Sequence, residues 1–260
     1  MNVKGMNILV TGGASGMGRA FVLALAKDGA NVAFCDVNDA GIAETTAMAA
    51  EFGTKVVGFK ANVADEAEVV ALVKNAADAL SSGGAGGLNG LVNNAGIFRD
   101  GLIVKVDKET GAVIKFPLSK WNDVLGVDLT GPFLLTREFA AQVIERKPGP
   151  AVVVNISSIA RYGNRGQGNY SAAKAGLVAD TRVWSLELAP YGIRTGAIAP
   201  GFVDTPILAG MKPEAFEAMV KPVPLKRVGT PGEIYAGVKF ILECDYFTGR
   251  CIDIDGGLNV

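Results

Sequence analysis

MNILVTGGASGMG, residues 6–18, decides the fold. A short apolar run passes directly into a glycine-rich turn, and the turn opens a segment, GRAFVLALAKDG, whose apolar residues recur three and four apart. The spacing predicts a buried strand, a loop and an amphipathic helix. The glycines Gly12, Gly16 and Gly18 do not keep the strict G-x-G-x-x-G spacing, so position carries the reading. A loop without side chains at a helix N-terminus lets a pyrophosphate approach backbone N–H groups, where the helix dipole favours negative charge.

Asp36 follows the second apolar run, twenty residues after Gly16. A carboxylate there can accept hydrogen bonds from the hydroxyls of an adenosine ribose, and it repels a 2′-phosphate. Ser15 and Val37 occupy the places where an arginine or lysine would reverse that preference. The expected cofactor is NAD rather than NADP.

The same alternation continues outward along the chain. NVAFC (31–35), KVVGF (55–59), LNGLVN (88–93), AVVVNI (151–156), IRTGAI (193–198) and CIDI (251–254) read as strands, with helical-period segments between them. Several of these runs are apolar at consecutive positions, as in strands covered on both faces. The fold expected is α/β, a single Rossmann-type domain over residues 1–260 with one doubly wound parallel sheet and helices on both faces. Two stretches break the rhythm. SSGGAGG (81–87) reads as a flexible loop, and LIVKVDKETGAVIKF (102–116) as a β-hairpin insertion turning at Gly111. The alternation of Val104, Val106, Val113 and Phe116 leads one to expect one face covered by protein or substrate, beside the mouth of the site.

Composition narrows the partners. With 49% hydrophobic residues, a net charge of -1 and a pI near 5.7, the chain has no basic surplus for a nucleic acid or an anionic membrane. No apolar run approaches the ~20 residues of a membrane span, and the N-terminus lacks the form of a signal peptide. A cytoplasmic protein acting on a small molecule is expected. Cys35, Cys244 and Cys251 are scattered, without metal-ligand or disulfide spacing, so the expectation is reduced thiols and no metal.

QGNYSAAKAGL (167–177) places Tyr170 and Lys174 four apart in a chain with no histidine. On a helix such residues are neighbours. Alone, the pair is common on solvated faces. Beside an ammonium, however, a phenol is expected to lose its proton more readily than at its usual pKa of ~10, and to act as general base.

TGGASGMG (11–18), NNAG (93–96), Ser158, Tyr170-x-x-x-Lys174 and PG (200–201), in this order over nearly the whole length, resemble the short-chain dehydrogenase/reductase family. The resemblance implies a seven-stranded parallel sheet, one nicotinamide cofactor per subunit and a homo-oligomer, tetramer or dimer. It implies that Gly12, Ser15, Gly16, Met17 and Gly18 surround the pyrophosphate, that Asp36 holds the ribose, and that Asn62 and Val63 grip the adenine. It sets Asn94, Ala95 and Gly96 near the cofactor, Pro200, Gly201, Val203 and Thr205 at the nicotinamide carboxamide, and Lys174 at the nicotinamide ribose beside Tyr170. DGG (255–257) matches the family's C-terminal motif.

Catalysis is expected of Ser158, Tyr170, Lys174 and Asp128, with Ser157 the competitor for the serine's place. Asp128 stands where the family has an asparagine of a proton relay, and a carboxylate there is expected to offset the positive field that lowers the Tyr170 pKa. Residues Phe202, Leu208, Met211, Phe216 and Met219, within 202–220, read either as ordinary helix packing or as a lid over an apolar substrate. The reading these residues give is an NAD-dependent oxidoreductase interconverting a secondary alcohol and a ketone. A 3-oxoacyl thioester reductase is the alternative, since GNRGQGNYSAAKAG resembles those reductases, although Leu186 replaces an arginine that carrier-protein reductases often carry. The alternative of another class is a non-catalytic nicotinamide-binding sensor.

Overall fold

The computed structural model describes residues 1–81, 86–206, 208 and 211–258, so most of the glycine-rich loop at 81–87 lies outside the described residues. The strands are β1 (Asn7–Thr11), β2 (Asn31–Asp36), β3 (Val56–Lys60), β4 (Gly90–Asn93), β5 (Val104–Val106), β6 (Val113–Lys115), β7 (Ala151–Ile156), β8 (Ile193–Pro200) and β9 (Arg250–Ile254). The helices are α1 (Gly16–Lys27), α2 (Asp39–Ala49), α3 (Glu66–Leu80), α4 (Leu118–Leu125), α5 (Gly131–Arg146), α6 (Gly168–Leu188), α7 (Pro213–Val220) and α8 (Pro231–Glu243).

Seven strands form one sheet in the order β3-β2-β1-β4-β7-β8-β9, every neighbouring pair parallel. Successive side chains of a strand point to opposite faces, and here both faces are covered. On one, Ile8, Val10, Val32 and Phe34 pack with Phe21 and Leu25 of α1 and Val238 and Ile241 of α8. On the other, Leu9, Ala33, Leu91 and Val153 pack with Leu72 and Ala76 of α3 and Phe139 of α5. This double burial is why the strands read as continuous apolar runs.

The chain builds β1, β2 and β3 outward in one direction, then crosses β1 to place β4 on its other side. The loops leaving β1 and β4 therefore part company at the carboxyl edge of the sheet and open a crevice, the place where such sheets bind ligands. Two motifs close the far side of it. Gly201 N–H donates to Ile254 C=O at 2.9 Å, and a Cβ on Gly201 would sit 2.7 Å from Asp255 Cα, so PG and DGG lock together only because position 201 has no side chain.

Residues 102–116 form an antiparallel hairpin, β5 on β6, with Val106 opposite Val113. Asp107 closes the turn through its backbone N–H to Ala112 C=O, its carboxylate accepts from the N–H groups of Glu109 and Thr110, and Gly111 takes the left-handed conformation at φ +70. The expected covered face is not found within one chain: all six strand residues are exposed. Four of the six side chains are apolar, the others being Lys105 and Lys115, and none of them is covered by the body of the subunit. The root of the hairpin is fixed at Gly101, whose N–H donates to Gly166 C=O at 2.8 Å.

Between α4 and α5 the helix widens into a single π turn, Gly126–Thr130. This turn carries Asp128, which is fully buried. Such turns insert one extra residue into a helix and redirect a side chain, a device frequent at functional sites.

Candidate active site

A cleft of about 870 Å³ runs along the carboxyl edge of the sheet. Every residue read from the sequence as cofactor-binding lines it, from Gly12, Ser15, Gly16, Met17 and Gly18 through Asp36, Asn62, Val63, Asn94, Ala95 and Gly96 to Pro200, Gly201, Val203 and Thr205. Ser158, Tyr170 and Lys174 line it too, while Asp128 lies behind the wall, beneath Gly96.

Local geometry explains the glycine loop. Gly12 and Gly16 have φ of +68 and +52, and a Cβ on Gly18 would lie 1.9 Å from Gly12 O. Helix α1 begins with Ser15 as an N-cap without a side-chain cap bond, and its first turn holds no acid. The first backbone bond of the helix is Arg19 N–H to Ser15 C=O. The amides of Gly16, Met17 and Gly18 therefore have no acceptor inside the helix, and they lie at the cleft. An anion of pyrophosphate type fits this cradle.

Asp36 ends β2 with both oxygens fixed by backbone. Oδ2 accepts from Ala14 N–H at 3.1 Å, and Oδ1 from Val37 N–H at 2.8 Å and Asn38 N–H at 3.1 Å. Asn62 is held in a turn by its own side chain, which accepts from Ala64 N–H at 3.0 Å. Asn94 donates to Thr11 C=O at 2.9 Å, and its buried Oδ1 has no partner. An orphaned acceptor beside the glycine loop is what a missing polar ligand would leave.

At the other end of the cleft, helix α6 presents Tyr170 and Lys174. Asn169 fixes the helix start: its Nδ2 donates to Arg99 C=O at 3.3 Å and Lys120 C=O at 3.0 Å, and its Oδ1 accepts from Tyr170 N–H at 2.9 Å. Tyr170 is only 8% exposed; it packs with Val124, Ala160 and Ala173, and its ring lies 4.6 Å from that of Phe98. Lys174 Nζ is 5.5 Å from the centre of that ring and donates to Ile156 C=O at 3.0 Å.

The two serines separate cleanly. Ser157 is buried with its hydroxyl donating to Lys174 C=O at 2.8 Å, which ties β7 to α6. Ser158 is less buried, accepts from Ala160 N–H at 3.1 Å and contacts the Tyr170 phenol. The free geometry belongs to Ser158.

The lowering expected from Lys174 is present but outweighed. Burial pushes the Tyr170 phenol above its ordinary value; Lys174 and the hydrogen bond of Ser158 pull it down, but Asp128 and Asp100 push it up again. The i, i+4 spacing contains the lysine but not the desolvation or the carboxylates.

Sequence reasoning missed part of the wall. Phe98, Asp100, Asn164, Gln167, Pro222 and Leu258 also line the cleft. Gln167, donating to Asp100 Oδ2 at 3.0 Å, lies three residues before Tyr170 on the same helical face, a signal that was present. Asp100 carries no such signal, because the loop after β4 has no periodicity. Of the candidate lid residues, Phe202, Leu208, Met211 and Met219 line the cleft and Phe216 does not. Helix α7 has no fully buried residue, and Phe216, Met219 and Val220 are its half-buried ones. Among the described residues, no helix is long and apolar enough to cross a membrane and no group of three or more ligating side chains could hold a metal ion.

A family model described as "Enoyl-(Acyl carrier protein) reductase" matches residues 12–259. The chain is 36% identical over 261 residues to the 3-oxoacyl-[acyl-carrier-protein] reductase FabG of Thermotoga maritima, covering 99% of each. It is 34% identical over 259 residues to Nodulation protein G of a Rhizobium species, covering 98% of each. Among solved structures, a Sinorhizobium meliloti protein assigned as a short-chain alcohol dehydrogenase superposes with a TM-score of 0.87 at 30% identity, covering 99% of this chain and 97% of that one. The likeness runs over nearly the whole chain, from the glycine loop to the C-terminal motif, and the chain belongs to the short-chain dehydrogenase/reductase family of oxidoreductases.

Proposed function

We propose that the protein reduces the ketone of a 3-oxoacyl thioester to a secondary alcohol, with NADH as the hydride donor. The observation that carries this reading is the pairing, at one end of the cleft, of a proton-holding Tyr170 with an apolar wall of Phe98, Phe202, Leu208, Met211, Met219 and Leu258. The wall suits an acyl chain, and the full-length likeness to 3-oxoacyl-[acyl-carrier-protein] reductases supports the thioester.

The glycine cradle, the fixed carboxylate of Asp36 and the orphaned Asn94 oxygen fit a dinucleotide. Gly12 to Gly18 would hold its pyrophosphate, Asp36 its adenosine ribose, Asn62 and Val63 its adenine, Asn94 to Gly96 its ribose–nicotinamide half, and Pro200 to Thr205 its carboxamide. When bound, the cofactor supplies the hydride, or accepts it in the reverse direction. The protein supplies the rest. Ser158 donates a hydrogen bond to the substrate oxygen and orients the carbonyl, and Tyr170 O–H gives its proton to that oxygen as carbon is reduced. In alcohol oxidation the same oxygen of Tyr170 takes the proton back. Lys174 orients the phenol and stabilises its anion. Asp36 favours NADH over NADPH, and the nearest cation on the neighbouring strand, Lys60, is paired with Asp39.

A second reading, a general secondary alcohol dehydrogenase, is favoured by Leu186. It is exposed where an arginine for a carrier protein would be expected. Both readings are compatible with a homo-oligomer. The test is a panel of 3-oxoacyl thioesters, on coenzyme A and on a carrier protein, and of plain secondary alcohols, each with NAD(H) and NADP(H). The thioester with NADH should give the highest kcat/KM. A preference for plain alcohols supports the second reading, and no turnover with any pair supports a nicotinamide-binding sensor.

A further inference from the structure

Asp128 and Lys174 make a buried ion pair directly beneath the catalytic phenol, and the mechanism above leaves the carboxylate unused. The π turn delivers Asp128 to a place of zero exposure, where Oδ1 accepts from Ile97 N–H at 2.9 Å. Oδ2 lies 3.2 Å from Lys174 Nζ and off the axis of a well-formed hydrogen bond, with no other donor. The space is made by Gly96, whose Cβ would stand 2.8 Å from that oxygen. An isolated buried carboxylate is costly, so its retention here depends on the ammonium. The pair is also off balance: one oxygen is committed to backbone and the other looks at Lys174 alone.

We propose that Asp128 is a positioning residue that acts through Lys174, cancelling its charge beneath Tyr170 so that the phenol works as a proton donor and the site favours carbonyl reduction at neutral pH. This rests on the proposed reading only for the direction of the reaction. An unpaired ammonium at this distance would stabilise tyrosinate, the form that abstracts a proton from an alcohol. With Asp128 ionised, the cluster of Tyr170, Lys174 and Asp128 gains a second charge of opposite sign, and the stabilisation is largely offset. The charged groups facing the phenol are Lys174 on α6, Asp128 on the π turn and Asp100 on the loop after β4, so two carboxylates oppose one ammonium. The directions agree with the geometry: burial and then Lys174 act on Asp128, with burial prevailing and its carboxyl raised, while Lys174, which burial alone would lower, is raised by Asp128 and Tyr170.

The test has one arm without substrate or cofactor. Tyrosinate absorbance is titrated in the wild type, in Asp128→Asn and in each combined with Tyr170→Phe, so that the difference isolates position 170. The wild-type phenol should titrate above ~10, and Asp128→Asn should lower it by about one to two pH units. In the second arm, the alkaline limb of log(kcat/KM) for alcohol oxidation should move down by a similar amount, reporting the coupled cluster rather than one group. A purely structural role for Asp128 would change rate or stability and leave both pH profiles in place, which overturns the proposal. So does an upward shift. Should Asp128→Asn not fold, the wild-type titration still decides: a Tyr170 that titrates below ~10 is not held as a donor. Because that arm needs no substrate, its failure is distinguishable from failure of the thioester reading.

Discussion

Tyr170 shows what a single residue discloses and what it hides. Its spacing from Lys174 marked it as the candidate proton carrier without any structure, because i, i+4 side chains on a helix are neighbours. The direction of its acidity was legible only in part: Asp128, 42 positions earlier in the chain, was expected to oppose Lys174, but burial against Phe98 and Val124 is not contained in the motif. NISSIA (155–160) favoured Ser158 over Ser157, but the hydrogen bond that ties Ser157 to the carbonyl of Lys174 could not be read from it. At this scale the expectation is that Tyr170→Phe keeps the fold and the cofactor affinity while losing about 10²- to 10⁴-fold in kcat, since the ring stays and only the proton carrier is removed. Steady-state kinetics with a cofactor-binding titration checks it; retention of more than about a tenth of kcat would assign the proton to another group.

The elements differ in how much of themselves they show. Strands β1, β2, β4 and β7 were legible because double burial writes consecutive apolar residues, and β8 through its buried second half, AIAP. The π turn was not, because WNDVLGVDLTG contains no proline, and its glycines, Gly126 and Gly131, are tolerated in a continuous helix and do not specify a π turn. The hairpin was legible in its alternation, but the alternation led to an expectation of cover that one chain does not provide. Since no residue of β5 or β6 is buried, replacing residues 104–115 by a short turn should change the melting temperature by only about 2 °C, while its root at Gly101, next to Asp100 and the Gln167 loop, makes a change in KM the expected kinetic result. Calorimetry and kinetics on the shortened protein test both, and a collapse in stability together with dissociation of an oligomer would place the hairpin's cover on a second copy. Helix α7 yields a second expectation. Met219→Ser removes apolar surface from the cleft without touching a buried core, so it should weaken long acyl substrates over short ones, by about fourfold in KM for each methylene that loses cover at ~0.8 kcal/mol. An equal effect on all chain lengths would mean the acyl chain runs elsewhere.

For the whole molecule, the binding cleft is a property of the sheet order rather than of any segment. Gly12 and Asn94 meet because β1 and β4 are neighbours, and Pro200 reaches them from β8, two strands further on. The family resemblance led to an expectation of seven parallel strands, and periodicity marked the strands, but neither said which of them pair. The sheet order also means that the cofactor site does not exist in the unfolded chain, so that ligand binding must appear as stability. A ligand at 100 times its dissociation constant stabilises the native state by ~2.7 kcal/mol, which for a chain of this size raises the melting temperature by roughly 5 to 10 °C. The carboxylate of Asp36, fixed by three backbone donors, cannot turn away from a 2′-phosphate without breaking them, and the repulsion is worth ~1.4 kcal/mol or more at partly screened distances. NAD should therefore shift the melting curve at a concentration at least tenfold lower than NADP does. In Asp36→Ala the two curves should draw together, chiefly because the NAD shift shrinks when the ribose hydroxyls lose their acceptor. Identical shifts for the two cofactors in the wild type would overturn the assignment of NAD. A larger shift with NADP would mean that a cation elsewhere in the folded chain, such as Arg19 released from Glu44, swings to the phosphate in place of the carboxylate.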